Sequence, residues 1–381
     1  MFLKNFKNKR NTKNVYKDLL KILSSKNEIL NSLSIQYNYS YSNKLIVKFK
    51  KNFSSLRIIG MGGSTNGMKA IYSFLKYKIA KKILFVDNLV NFQKNKKAKN
   101  CLNLIISKSG NTLETISNTN LLINRGQKNI FITDKKDSYL RKLAMELRSE
   151  IIDHNNFIGG RYSVLSEVGM LPSSLIGLQE KKFKQFNSLV KNKKFINSLV
   201  LNTASIIYFI KKKFNSIIIN YDENSDDLFR WYQQLVAESL GKKQKGILPV
   251  ISSMPKDNHS LMQLYLDGPK NNFFTFFNIK ENKSDRLINN RLLKSHYYLK
   301  NKNLNQVLES QKKATEKVFK DKRIPFRSFQ VFKRSEETLG ELFSFFILET
   351  ILIGKVMKID PYNQPSVELI KENTKKNLKN F

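Results

Sequence analysis

An α/β chain with two doubly wound parallel sheets is predicted by three features of the sequence. Short apolar runs alternate with segments of helical periodicity, the pattern of a parallel sheet covered on both faces. Two of those runs, "SLRIIGMGG" and "NLIISKSGNTLET", end in glycine-bearing turns that open into helices. The alternation then runs through a second cycle, and 381 residues suffice for two domains with cores of their own.

In chain order, roughly the first 40 residues read as a polar helical segment, with Leu19, Leu20, Ile22 and Leu23 forming one apolar stripe. The first cycle has strands at "SLRIIG", "KILFVDN", "LNLIIS", "KNIFITD" and "EIIDHN". Its helices lie at "STNGMKAIYSFLKYKI", about 112–123 and "SYLRKLAMELRS". The second cycle begins with a helical stretch over about 179–213. Strands at "NSIIINYD", "KGILPVIS", "NFFTFFNI" and "FRSFQVF" follow, with helices at "DLFRWYQQLVAESLGKK" and "LNQVLESQKKATEKVFKD". A long apolar helix (about 336–357) and a polar one (about 366–378) close the chain. These readings divide it into an N-terminal helical segment (1–40), a first α/β domain (41–178), a second (179–360) and a C-terminal helix (361–381). Ligands of such sheets sit beyond the carboxyl ends of the strands.

Composition narrows the function. Apolar residues make up 41 % of the chain, which is globular. A single cysteine, Cys101, excludes a disulfide framework and a zinc cluster, and with three histidines no metal site is expected. One cysteine and no secretory signal point to a reducing, cytoplasmic setting. The longest apolar run is broken by Glu349 and is too short to span a bilayer, so no membrane association is expected. The net charge of +38 invites a nucleic-acid partner. However, Lys and Asn are spread from end to end, and no basic zipper, zinc finger or RNP-like segment occurs, so nucleic-acid binding is not expected as the main role.

Several motifs carry chemistry. Ser107, Lys108, Ser109, Gly110 and Thr112 stand where a buried strand meets a helix, where free N–H groups and the helix dipole favour an anion. One N-cap needs one such residue, so the surplus of hydroxyls points to a phosphate cradle. The nearby turn "IGMGGST" offers Gly63 for close approach and Ser64 as a donor. Arg161 follows Gly159 and Gly160, either aimed into a cleft or solvated on a loop. Leu228, Trp231, Tyr232, Leu235 and Val236 define one helix face, with Glu238 on its flank one turn beyond Gln234. A carboxylate beside an indole suits a general base; the plainer alternative pairs Glu238 with Lys242. His259 follows a polar turn, while His154 and His296 have no supporting pattern. Gln364 and Lys371, two turns apart, can face the same way, although Lys371 in a Lys-rich tail also reads as a solvent lysine.

Five pieces in order resemble the phosphoglucose isomerase family of sugar-isomerase domain proteins. They are "GMGGS", "SKSGNTLET", "GGRYSVLSEVGMLP", "QQLVAESLGK" with "DNHSLMQLYLDG", and "NQPSVELIK", spanning about residues 55–375. The resemblance implies two sugar-isomerase (flavodoxin-like) domains and aldose–ketose isomerisation of glucose 6-phosphate and fructose 6-phosphate, in glycolysis and gluconeogenesis, without a cofactor. By it, Ser107, Lys108, Ser109 and Thr112 hold the phosphate, with Gly63 and Ser64 nearby. Glu238 is the base, Arg161 steadies a cis-enediol(ate), His259 and Lys371 assist ring opening, and Gln234 and Gln364 position substrate. It further implies a homodimer in which the histidine comes from the neighbouring subunit. Ser109 stands where many relatives have threonine, Ile370 replaces a small residue, and the shorter chain implies trimmed peripheral loops. Activity on mannose 6-phosphate, or a non-catalytic sugar-phosphate binder on the same domains, are the alternative readings.

Overall fold

A computed structural model describes residues 2–4, 6, 11–89, 100–280, 287 and 294–380. Its strands are β1 (Phe2–Lys4), β2 (Ser55–Gly60), β3 (Lys82–Val86), β4 (Cys101–Ile106), β5 (Lys128–Thr133), β6 (Glu150–Asp153), β7 (Asn215–Asn220), β8 (Pro249–Ser253), β9 (Asn272–Ile279) and β10 (Phe326–Val331). Among the described residues they form two five-stranded sheets. The first has the order β3-β2-β4-β5-β6 with every pair parallel. The second has the order β8-β7-β9-β10-β1, parallel except for β1, which runs antiparallel along β10.

Both orders are doubly wound. From β2 the chain crosses to β3 on one side and then to β4 on the other, so the winding reverses between β2 and β4. Such a reversal opens a crevice at the carboxyl ends of the two strands, because their following loops part in opposite directions. The strands read as continuous apolar runs because helices cover both faces; all six residues of β2 are buried. Even the polar residues inside the first sheet pair across strands: Arg57 donates to Asn103 (3.3 Å), which donates to Asn129 (2.9 Å).

One apolar cluster joins Leu56 and Leu104 of the first sheet to Ile218 and Phe277 of the second, through Trp231, Phe343 and Leu348. The helix Asp226–Leu240 is central to it. It packs against Asn66–Phe74, which follows the first glycine turn, and against Glu336–Val356 and β8. The predicted face of Leu228, Trp231, Tyr232, Leu235 and Val236 is buried throughout.

Three stretches depart from the expected elements. Phe2–Lys4 is a strand that extends the second sheet. The helix Thr12–Ser24 stops before Asn27, whose side chain caps a separate helix, Glu28–Leu33. Residues 1, 5 and 7–10 of the expected helical segment lie outside the described residues. The stretch read as one helix over 179–213 is divided, because Asn192 accepts from the N–H groups of Lys194 and Phe195 and so starts a new helix, Lys193–Lys211. The last helix is Glu368–Leu378, preceded by a single 3-10 turn at Pro365–Val367. Among the described residues no helix is long and apolar enough to cross a membrane.

Candidate active site

The serine-rich loop and the glycine turn flank the winding reversal of the first sheet, at the carboxyl ends of β4 and β2 respectively. Within the loop, Gly110 has φ +64°, and a Cβ there would lie 2.1 Å from Ser138 Oγ, so conformation and space both require glycine. Thr112 is the N-cap of the helix Leu113–Leu122, yet its side chain makes no capping bond; its Oγ1 meets Ser107 Oγ at 2.9 Å. The first-turn N–H groups are therefore not occupied by the cap side chain and face the loop, the arrangement that receives anions. Ser109 Oγ accepts from Asn111 N (3.2 Å), and Asn111 Oδ1 accepts from Tyr139 N (3.0 Å), which fixes the loop's shape. Lys108 Nζ donates to the Asn156 carbonyl at 2.6 Å. Burial holds the Lys108 ammonium below its usual pKa; Asp134 opposes that shift, while Lys136 and Arg161 add to it.

The glycine turn meets the arginine turn back to back. A Cβ on Gly63 would sit 2.2 Å from the Gly160 carbonyl carbon and 2.5 Å from Arg161 N. Gly63 therefore allows close approach to another backbone segment, the one that begins the 3-10 turn Gly160–Leu165. Ser64 is the last residue of the first turn, half-buried, its N–H on the Met61 carbonyl.

Arg161 is 2 % exposed and almost every donor is spoken for. Nε donates to Ser239 Oγ (2.8 Å), and Nη2 to the carbonyls of Pro361 (2.7 Å) and Asn363 (3.1 Å). Nη1 donates to Gln364 Oε1 (2.5 Å) and lies 3.1 Å from Glu238 Oε1. Trp231 Nε1 donates to the Arg161 carbonyl (3.2 Å), which pins the backbone as well. A buried guanidinium is tolerated on these terms, with its charge paired and its N–H groups bonded.

Glu238 reaches this arginine from the helix Asp226–Leu240. Its Oε2 accepts from Gln234 Nε2 (3.1 Å), and Gln234 Oε1 accepts from Asn66 Nδ2 (2.8 Å), so both carboxylate oxygens are oriented. The Glu238 side chain keeps 23 % exposure, so the carboxylate is not sealed off. The alternative pairing with Lys242 does not form: Lys242 Nζ donates instead to the Asp360 carbonyl (2.5 Å).

The structure brings Arg161, Glu238, Gln234 and Gln364 into one bonded cluster, with Gly63 against it and Lys108 in electrostatic reach of Arg161. It does not bring in His259 or Lys371. His259 ends the 3-10 turn Lys256–His259 and is exposed, with no hydrogen bond to the cluster among the described residues. Lys371 pairs with Glu368 (2.6 Å) on a helix that buries none of its residues. Gln364 precedes that helix, so it and Lys371 do not share a face. Sequence reasoning missed Ser239, Tyr162, Asn66 and the carbonyls of Pro361 and Asn363. Nothing but adjacency to Glu238 and Arg161 marks the first two, and backbone acceptors leave no trace in residue type. Among the described residues no group of His, Cys, Asp and Glu is arranged to hold a metal.

Comparison with known proteins gives a consistent picture. The profile of phosphoglucose isomerase matches residues 5–380. A glucose-6-phosphate isomerase of Mycoplasmopsis pulmonis is 33 % identical over 355 residues, covering 85 % of this chain and 82 % of the relative. One from Methanocaldococcus jannaschii is 30 % identical over 344 residues, covering 84 % and 83 %. Among solved structures, a hypothetical protein from Thermus thermophilus superposes with a TM-score of 0.83 at 22 % identity, over 96 % of this chain and 94 % of the other. A glucose-6-phosphate isomerase from Chlamydia trachomatis gives 0.73 at 18 %, over 96 % and 78 %; at such identities the likeness is one of fold.

Proposed function

Because the chain belongs to the phosphoglucose isomerase family, we propose that it interconverts glucose 6-phosphate and fructose 6-phosphate, with the clustered residues in the roles that follow. The observation that carries the assignment is the Glu238–Arg161 contact of 3.1 Å, built against the turn that flanks the serine-rich loop. A carboxylate with an open edge, beside a fixed guanidinium, is what moving a proton between adjacent carbons requires.

The loop Ser107–Thr112 holds the phosphate through hydroxyls, first-turn N–H groups and Lys108, with Ser64 on the facing turn. Binding energy gained there orients carbons that are not themselves held by charge. Glu238 takes the proton from the second carbon, and the electron pair moves into a cis-enediolate whose oxygen becomes anionic. Arg161 Nη1, at the edge of the buried guanidinium, stabilises that charge. The hydroxyl proton on the second carbon's oxygen passes to the anionic oxygen of the first carbon, Glu238 returns its proton to the first carbon, and the carbonyl has moved by one position. Gln234 holds the carboxylate in line, while Gln364 shares the arginine edge. No metal or organic cofactor enters this scheme.

Ring opening falls to His259 and Lys371, and each needs something this single chain does not supply. Exposed His259 serves the site of a neighbouring copy, which makes the homodimer part of the proposal. The Lys371 helix, joined to Gln364 by a short turn, closes toward bound sugar. A reducing cytoplasmic setting belongs to the same reading and rests on the single cysteine. The test is a coupled dehydrogenase assay with fructose 6-phosphate on purified protein, run beside Glu238→Gln. The wild type is expected to turn over and the variant to bind substrate while losing nearly all turnover. Near-normal turnover by Glu238→Gln would remove it as the base.

A further inference from the structure

We infer that Ser239 and Tyr162 are positioning residues for Arg161, joined to it in a closed ring of hydrogen bonds that sets where its reactive edge lies. The inference rests on the isomerase reading above and adds two residues to it.

The ring follows from what each group can donate. Arg161 Nε only donates, so Ser239 Oγ accepts it at 2.8 Å. Ser239 Oγ also lies 2.8 Å from Tyr162 Oη, and Tyr162 Oη lies 3.1 Å from the Pro361 carbonyl. A carbonyl only accepts, so Tyr162 donates to Pro361, and the Ser239 proton goes to Tyr162 Oη. One assignment of hydroxyl protons satisfies all three contacts. The ring closes because the same Pro361 carbonyl accepts from Arg161 Nη2 at 2.7 Å.

Every side chain in it is sealed from solvent: Ser239 and Tyr162 are 0 % exposed and Arg161 2 %. No bulk water stands ready to replace a lost partner. Burial pushes the Tyr162 hydroxyl up to about 12, so it keeps the proton that it donates to Pro361 at any working pH. Two guanidinium nitrogens, Nε and Nη2, are thus fixed by the ring and by Asn363. A planar group held at two corners has its third, Nη1, fixed as well. That corner faces Glu238 and Gln364. Neither Ser239 nor Tyr162 has an open side from which to touch a sugar, so both act through the arginine.

The test compares full-length wild type with Ser239→Ala, Tyr162→Phe and the double variant. Each is assayed for kcat and KM with fructose 6-phosphate. Each is also tested for inhibition by two phosphate-bearing probes: a planar hydroxamate that mimics the enediolate, and the open-chain sugar alcohol. Ser239→Ala is expected to lower kcat about tenfold to a hundredfold and Tyr162→Phe about fivefold, with KM changed less than about twofold, because Nη1 meets charge that exists mainly in the transition state. Hydroxamate inhibition should weaken in step with kcat while sugar-alcohol inhibition holds. The double variant should fall short of the product of the single effects, since both act on one ring. Equal weakening of the two probes, a rise in KM with kcat intact, or full multiplicativity would overturn the inference. Tyr162→Phe removes a single oxygen and carries the test if Ser239→Ala does not fold. Wild-type protein inert toward both sugars would overturn the isomerase reading and this inference with it; active wild type with unaffected variants overturns this inference alone.

Discussion

Arg161 and Arg327 are both buried and both face a glutamate, yet the two pairs differ in what the glutamate is free to do. Glu349 is 0 % exposed, as is Arg327. It accepts from Arg327 Nη1 (2.6 Å), from Tyr232 Oη (2.9 Å) and from the Asn202 amide. Arg327 spends its other donors on Thr275 and Asn202 (2.9 Å each) and on Tyr232 (3.2 Å). That network is closed, so its charges fix the packing of β10 on three helices and can do nothing else. Glu238 has one protein contact on each oxygen and an open edge. The difference teaches that a buried ion pair reads as structure or as chemistry according to whether its carboxylate is fully enclosed.

The comparison is broken or sharpened most strongly by matching substitutions. Glu349→Gln should cost about 3–5 kcal/mol in urea denaturation, because it leaves Arg327 charged, buried and unpaired, while the folded fraction keeps its kcat. Glu238→Gln should shift the balance the other way, lowering kcat by about 10³-fold with a smaller loss of stability than Glu349→Gln, because the Glu238 carboxylate is already partly exposed. If the two effects exchange, the assignment of roles is wrong.

A smaller effect is expected where the turns meet. Gly63→Ala forces the Gly160 peptide away and should cost about 1–3 kcal/mol of stability, with kcat falling because Arg161 rides on that peptide. Gly159→Ala is the control: its Cβ would meet only a Tyr162 ring carbon at 3.7 Å, an ordinary contact. Equal losses in the two variants would show that the 63–160 contact does not set the arginine's position.

The smallest effect concerns a third buried cation. Lys184 Nζ donates to the Leu165 carbonyl (2.6 Å) and to that of Ser32, and among the described residues no carboxylate lies within ion-pair distance. Burial lowers its pKa to about 7, against the pull of Glu167 and Glu180. Between about pH 7 and the ordinary lysine value the unfolded chain therefore holds the extra proton. Stability should rise with pH in that window, by at most about 1.4 kcal/mol per pH unit. Lys184→Met should flatten this slope when the midpoint is followed from pH 7 to 9. An unchanged slope would mean that Lys184 stays charged in the folded protein.

Much of this was legible from residue order. The strands declared themselves as apolar runs, because a parallel sheet sealed on both faces has no solvent side to interrupt them. The loop at 107–112 was visible as a surplus of hydroxyls, and the helix face beside Glu238 as a 3.6-residue period. What was not legible depended on distance along the chain. Phe2–Lys4 is too short to show a strand period, and only its partner β10 makes it one. Asn192 looked like one more asparagine in an Asn-rich chain until its carboxamide capped a helix. Glu349 stood out only as a charge that breaks an apolar run, Arg327 went unremarked inside the strand "FRSFQVF", and nothing in their spacing paired them. Gln364 and Lys371 were read as able to face the same way on one helix, whereas Gln364 lies outside the helix, before the turn.

The partners of Arg161 also bear on how the chain is made. Two of its acceptors, the carbonyls of Pro361 and Asn363, are 200 and 202 residues downstream. While the polypeptide is being synthesised, the arginine has to wait for some 200 further residues before these acceptors exist. A product clipped just after the long apolar helix would retain the strands of both sheets yet leave that guanidinium slack. The site's cation and the segment that follows the long apolar helix are thereby acquired together.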